Sequence, residues 1–319
     1  MSEPRRVGLL SKLYTVIRGL AIVSPWLVHL LVADVALSLL LPVTLAAPSS
    51  GYNVASIIAK SVWVGIQEIF TRVNGARLTF SGVKLPEGES AIVVCNHVEW
   101  ADFYMIHALA IKAGMLGRCR WFAKQQLKWV PFLGWGLWAM RMPLVSRKWL
   151  SDQKELERVF HGIVKNHWPI WLISYSEATR YTRAKYHDTL TWCKENDKPI
   201  PKHTLYPRTR GFLATVSQLR HTPHVRAVYD VTIAYAHGKT FMEAPSFWQT
   251  VSQPKLDKDW RFHVHVDRYT LKELPDTDEE LAKWLEARWM EKGDRLEILR
   301  DALMKDEEWP PEELQEKAL

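Results

Sequence analysis

The stretch Cys95-Asn96-His97-Val98-Glu99-Trp100-Ala101-Asp102 follows an aliphatic run, Ala91 to Val94. It places an imidazole and a carboxylate five positions apart, where a buried strand would give way to a helix. A carboxylate that accepts one ring N–H fixes the tautomer and leaves the other nitrogen free to take a proton. A histidine beside an aspartate is more often structural than catalytic. The position at a strand exit, behind Asn96, raises general-base chemistry above that background.

Three further blocks carry charge in patterns that could serve the same site. Residues 123–149 set Lys124, Lys128, Arg141, Arg147 and Lys148 around a Trp- and Gly-rich middle, a surface suited to an acyl chain beside a phosphate. Within it Gly134-Trp-Gly-Leu-Trp-Ala139 matches a dinucleotide fingerprint, but no suitable strand precedes it and no ribose carboxylate follows, so it is a decoy. Residues 171–188 deliver Glu177, Thr179 and Arg180 to a turn after a strong strand; the planar guanidinium fork suits phosphate. Residues 205–235 begin with Pro207, Arg208, Arg210 and Gly211, a stiff turn that could wall a site. Taken singly, each of these reads equally well as a solvated ion pair or ordinary turn chemistry.

The elements that must position these blocks are legible in outline. Residues 77–82, 91–96, 120–124, 169–174, 225–235 and 261–269 read as strands, and 102–113, 149–166 and 211–220 as helices. The alternation predicts an α/β domain, a mixed sheet flanked by helices. Three segments are expected: 1–50, a membrane-anchoring helix or hairpin; 51–270, the α/β domain; and 271–319, C-terminal amphipathic helices ending in a solvated polar tail. The apolar run from about Gly19 to Pro48 is long enough for a bilayer core and too long for a cleaved signal peptide. Pro25 and Pro42 invite kinks, so a hairpin of two short helices within 13–48 is expected.

The 319 residues carry a formal net charge of +7, sixteen tryptophans and three cysteines. Basic charge with many tryptophans suits an anionic membrane surface; no nucleic-acid motif accompanies it, so no nucleic-acid partner is expected. Three scattered cysteines exclude a disulfide framework or zinc site and favour a reducing compartment. The absence of an Asn-x-Ser/Thr acceptor agrees with cytosolic exposure. His263 and His265 share a strand face without further ligands, so no metal is expected and both are placed on the strand surface. Cys95 is expected to be a buried small hydrophobe rather than a nucleophile, and His107 a packing residue.

Read in order, the four blocks resemble those of the glycerophospholipid acyltransferase family. His97-x4-Asp102 is similar to its first motif, Ser146-Arg-Lys-Trp149 to its second, Ser176-Glu-Ala-Thr-Arg180 to its Glu-Gly-Thr-Arg motif and Tyr206-Pro-Arg-Thr-Arg-Gly-Phe212 to its fourth. The last, with Ala227-Val-Tyr-Asp-Val-Thr-Ile233, resembles the eukaryotic 1-acyl-sn-glycerol-3-phosphate acyltransferase branch. The resemblance covers residues 75–300. It implies transfer of a fatty acyl group from acyl-CoA, a co-substrate rather than a resident cofactor, to the sn-2 hydroxyl of lysophosphatidic acid.

By the same resemblance, His97 is the base and Asp102 orients it, while Arg147, Glu177, Thr179, Arg180, Pro207, Arg208 and, more weakly, Lys124 bind substrate. It also implies an endoplasmic reticulum membrane enzyme whose site faces the cytosol. Other lysophospholipids, lysophosphatidylinositol among them, are alternative acceptors, and an inactive lipid-binding relative is the non-enzymatic alternative. Two positions depart from the family pattern. Ala178 replaces the motif glycine and Ser176 stands where many members have proline, which bears on the placement of Arg180.

Overall fold

The structure is a computed structural model that describes residues 9–146, 149–310 and 313–315. It opens with three helices, α1 (Leu9–Leu39), α2 (Leu41–Ala46) and α3 (Pro48–Glu68), the last running into a π-helical turn. The α/β part follows as β1 (Leu78–Val83), β2 (Ser90–Cys95), α4 (Asp102–Lys112), β3 (Cys119–Trp121), β4 (Ala123–Lys124), α5 (Leu133–Ala139), β5 (Leu144–Val145), α6 (Trp149–Asn166), β6 (Trp171–Tyr175), α7 (Arg183–Glu195) and α8 (Thr209–Leu219). The chain continues through β7 (Val225–His237), β8 (Thr240–Phe241), α9 (Phe247–Ser252), β9 (Trp260–Thr270), α10 (Asp278–Met304) and β10 (Glu313–Gln315).

The main sheet runs β10-β1-β9-β7-β2-β6-β3, with β8 hooked onto β7. β7, β2, β6 and β3 are mutually parallel, and β9 joins β7 antiparallel, which makes the sheet mixed as the alternation predicts. β2 is buried at every position because both of its faces are covered, and this is why it reads as an unbroken apolar run. Ala91, Val93 and Cys95 face a core shared with α3 and α4. Ile92 and Val94 face a second core built from α6, α8 and α10. A strand's period of two divides its residues between the layers in this way. β2 and β6 end side by side at Cys95 and Tyr175 while β7 runs on to His237, and the loop after β2 carries His97 at this edge.

The N-terminal region differs from the expected pair of short helices. α1 passes through Pro25 as a single helix. The break comes at residues 40–47, with Pro42 and Pro48 in the first turns of α2 and α3, where a missing N–H costs nothing. The returning arm of the hairpin is therefore α3, and the expected boundary at residue 50 falls inside it. α1 also packs along the α/β domain. A side chain at Gly19 would strike Ser252 of α9 at 2.7 Å, and one at Gly136 of α5 would meet Asp34 at 3.1 Å. The Trp26 indole donates to the Val62 carbonyl of α3 at 2.9 Å. The face of α1 turned away from these contacts is apolar and exposed.

The C-terminal end also departs from expectation. α10 is one helix, capped by the Thr277 hydroxyl and led by Asp278, Glu279 and Glu280, whose charges suit a helix N-terminus. Beyond it the expected solvated tail folds back. Trp309 is buried with its indole donating to the Leu299 carbonyl at 2.9 Å, and β10 pairs in parallel with β1. His263, expected on a strand surface, is likewise buried under this end, bonded to Thr79 and Ser81. In both places an amphipathic ring turns its apolar body inward.

Candidate active site

The loop between β2 and α4 is pinned before it can wander. Asn96 donates from Nδ2 to the Ile233 carbonyl at 2.9 Å and accepts from the Ile233 amide at 2.8 Å, clamping the end of β2 to β7. His97 then emerges at the sheet edge. Its Nδ1 lies 2.7 Å from Asp102 Oδ2. An ionised carboxylate only accepts, so Nδ1 carries the proton and Nε2 is left bare. The Val98 and Glu99 amides donate to the same oxygen at 2.7 and 3.3 Å, and the Tyr235 hydroxyl donates to Oδ1 at 2.8 Å. Asp102 is fully buried, whereas the His97 side chain is 16% exposed. Tyr175, the last residue of β6, stacks on the imidazole with ring centroids 4.0 Å apart. The ring is thus fixed on one edge and one face, and its Nε2 edge is free to serve a substrate.

Backbone hydrogen bonds lace the third and fourth blocks onto this loop. The Tyr181 amide donates to the His97 carbonyl, and the Arg208 amide to the Ser176 carbonyl, both at 2.7 Å. Arg180 points to the surface and pairs with Glu99 at 2.6 Å, so one guanidinium edge meets the His97 loop while the side chain remains 45% exposed. Lys185 closes the turn, donating to the Thr179 hydroxyl and the Arg180 carbonyl. Pro207 is buried and Arg208 exposed, with no ion pair among the described residues. Lys124, at the end of β4, is exposed, and no hydrogen bond or ion pair among the described residues joins it to the others. Arg147, expected to bind substrate, lies outside the described residues.

Glu177 takes a different place from the rest of its block. It is 2% exposed and turned inward, and neither oxygen meets a donor at bonding geometry. Burial pushes its carboxyl well above the ordinary carboxylate range, against the weaker pull of the nearby Leu205 amide and Trp289 indole. Ala178, at the motif glycine's position, adopts the left-handed conformation at φ 58°, held by its amide donating to the Tyr175 carbonyl at 2.8 Å. The methyl does not prevent the turn; the chain accepts the strain there.

The bystanders behave as read. Cys95 is buried, and desolvation, followed by the charge of Asp102, pushes its thiol well above its ordinary range, so it stays protonated and inert. His107 is buried between Trp63 and Trp121 and pushed down to about 3 by burial. Sequence reasoning missed Tyr235, Tyr175 and Glu99. The first two were hidden in apolar strands, where tyrosine ordinarily serves as packing. Glu99 lies inside the first block, where spacing alone gives it no role.

Comparison with known proteins places this geometry. The sequence model described as Acyltransferase matches residues 77–236, half of the chain, and one described as Acyltransferase C-terminus matches 256–315. The 1-acyl-sn-glycerol-3-phosphate acyltransferase 2 of Brassica napus is 31% identical over 204 residues, 64% of this chain and 50% of that protein. The human 1-acyl-sn-glycerol-3-phosphate acyltransferase delta is 32% identical over 204 residues, 64% of this chain and 51% of that protein. Lysocardiolipin acyltransferase 1 of Gallus gallus is 27% identical over 224 residues, 70% of this chain and 57% of that protein. The chain spans about half the length of the curated relatives it matches. Among solved structures, the 1-acyl-sn-glycerophosphate acyltransferase PlsC from Thermotoga maritima aligns over 83% of this chain and 97% of that one, with a TM-score of 0.47 and 16% identity, too loose a likeness to carry residues across. With its His97–Asp102 pair seated at the strand edge inside the matched region, the chain belongs to the acyltransferase family, among the members related to the 1-acyl-sn-glycerol-3-phosphate acyltransferases of plants and animals.

Proposed function

We propose that this chain transfers a fatty acyl group from acyl-CoA to the sn-2 hydroxyl of lysophosphatidic acid, giving phosphatidic acid. The observation that carries the proposal is the His97–Asp102 pair, with Nδ1 bound to a buried carboxylate and Nε2 bare at the sheet edge. The bare nitrogen takes the glycerol hydroxyl's proton as the oxygen attacks the thioester carbonyl. The C–O bond forms and the C–S bond breaks. The departing thiolate recovers the proton from the imidazolium, whose charge Asp102 has stabilised meanwhile. No covalent enzyme intermediate is required, in keeping with the protonated Cys95. Arg180, exposed beside the catalytic loop, binds the acceptor's phosphate, with Thr179 shaping its turn. Arg208 and Lys124 add exposed cations for the polar parts of either substrate. Arg147 is assigned a phosphate role on the sequence resemblance alone.

Both substrates are amphiphiles, and the apolar exposed face of α1 supports a membrane location. Two helical stretches, Leu10–Leu39 and Pro48–Val73, are long and apolar enough to cross a membrane. Because α1 packs on the α/β domain along its length, the proposal seats it beside the bilayer rather than through it. This arrangement keeps His97 and a basic N-terminus on the cytosolic side of the endoplasmic reticulum, where acyl-CoA is found. Free-thiol release from acyl-CoA, offered lysophosphatidic acid, lysophosphatidylinositol and lysocardiolipin in turn, tests the reading. Wild type is expected to prefer lysophosphatidic acid, and His97→Ala to lose transfer to every acceptor. Equal release by wild type and His97→Ala would overturn it in favour of a lipid-binding relative, and a preference for another headgroup would reassign the acceptor.

A further inference from the structure

Between Asp102 and Asp152 the sequence contains no carboxylate, yet it holds eight cations: Lys112, Arg118, Arg120, Lys124, Lys128, Arg141, Arg147 and Lys148. The same stretch pushes aromatic rings outward. Trp129 is 78% exposed and Trp135 51%, with Phe132 between them at 39%. Phe132 and Trp135 meet edge to face, with centroids 5.7 Å apart. The Lys128 ammonium sits 4.9 Å over the Trp129 ring. Phe132 also adopts a left-handed backbone at φ 61°, an unfavourable conformation for an aromatic residue. Large rings held in water on a strained turn, beside the exposed Lys128, are unexplained by the folding of the domain itself.

We propose that residues 128–135 are an interfacial anchor, with Trp129, Phe132 and Trp135 seated at the headgroup–acyl boundary of a bilayer and Lys128 among anionic headgroups. Three features select lipid as the occupant. Tryptophan beside lysine suits a layer that is apolar on one side and charged on the other. The patch adjoins α1, whose Asp34 and Leu37 abut Gly136, so its exposed rings lie beside a helix that has an exposed apolar face of its own. A second copy of the chain, docked by the same patch, would bring like charges together.

The anchor also bears on catalysis. The segment follows β3 and β4, and β3 runs parallel to β6 and β2 toward the end of the sheet that carries His97, so the proposal brings that end toward the lipid layer. The proposal rests on the membrane part of the functional reading and goes beyond it, in that it assigns a second contact outside α1 and α3.

The test uses the full chain in phosphatidylcholine vesicles with and without phosphatidylserine. Its native cysteines are buried, so an environment-sensitive label at Trp129→Cys is selective. A label at Glu279→Cys, exposed on α10, is the aqueous control. The expected result is a 129 label quenched by a lipid-borne quencher and shielded severalfold from an aqueous one, with the 279 label showing the reverse. Lys128→Gln is expected to weaken the gain from phosphatidylserine about fivefold.

Equal aqueous quenching of both labels on vesicle-bound protein would overturn the anchor. Shielding at 129 that persists in detergent, with 129-to-129 crosslinking, would assign the patch to a second copy and overturn it as well. Label depth needs no catalysis, so a failed acyl-transfer reading leaves this result intact. If transfer is found, a Trp129→Ser, Trp135→Ser double variant is expected to lose severalfold rate on vesicle-borne acceptor and to keep its rate on a dispersed short-chain one. Equal loss on both would remove the catalytic consequence.

Discussion

Two carboxylates lie buried at the ends of neighbouring parallel strands, and their surroundings are opposite. Asp102, after β2, receives the His97 ring, two backbone amides and the Tyr235 hydroxyl. Glu177, after β6, is as deeply buried and meets no donor at bonding geometry. Burying an ionised group is costly unless hydrogen bonds replace the lost water. The donors converge on Asp102, beside His97, and Glu177 is left to favour its neutral form. Two acidic groups in one site thereby differ: in the proposed function Asp102 supports proton transfer, whereas Glu177 lies buried and unpartnered two residues before Thr179.

Breaking the first arrangement should have the largest effect. Asp102→Asn can keep its oxygen where the three converging donors point and offer its NH2 to Tyr235, so the loop stays folded. The charge that supports the imidazolium is lost, and kcat for acyl transfer is expected to drop about a thousandfold. Initial-rate measurement with circular dichroism as the folding control checks this. An unchanged rate would mean that Asp102 serves only the fold.

A smaller step makes Asp102 more like Glu177. Tyr235→Phe removes one donor and leaves a buried acceptor short of a partner. It is expected to cost about 1–3 kcal/mol of stability and to slow transfer far less than Asp102→Asn does. Denaturant titration and initial rates read the two effects separately.

Glu177→Gln tests the opposite member. The folded pKa lies above the unfolded value of about 4.3, so the folded state holds the proton more tightly. This group's contribution is present below the unfolded pKa and is lost as pH rises out of the acid range toward the folded pKa. The glutamine variant should remove that slope, so its stability relative to wild type grows as the pH is raised from about 5 to about 7.5. Parallel denaturation midpoints at the two pH values decide it. A constant difference would show that Glu177 is ionised in the fold.

The mildest change is Ala178→Gly, which relieves the left-handed alanine at the same turn. The gain is expected to be about 1 kcal/mol or less, because glycine also frees the unfolded chain. A melting curve checks the stability, and KM for the acceptor shows whether Arg180 shifts.

The sequence carried the fold wherever burial imposed a period. β2 and β7 announced themselves as largely apolar runs and β9 as an alternation, and α4 and α6 fell close to where their spacing put them. The return arm of the N-terminal hairpin was misplaced because Pro25 was weighed as a break, while packing on α3, α5 and α9 holds that helix continuous. The buried tail was unreadable because its acidic residues outvote one tryptophan in any local window, and only contact with α10 shows that Trp309 belongs inside. In the site, His97, Asp102 and Arg180 were legible as motif residues. The inward turn of Glu177 and the supporting Tyr235 were not, since linear spacing does not tell which way a side chain points.

The two stretches that the family descriptions separate, 77–236 and 256–315, are physically one body. β7 closes the first and β9 opens the second, and the pair is zipped antiparallel from Ala227–Thr270 to His237–Trp260. The ribbon that orients Tyr235 toward Asp102 is therefore half owned by each stretch. A scissor cut in the linker at 238–255, intended to deliver a minimal catalytic fragment, would deliver a sheet with a raw edge through its middle and a histidine whose partner has lost its footing.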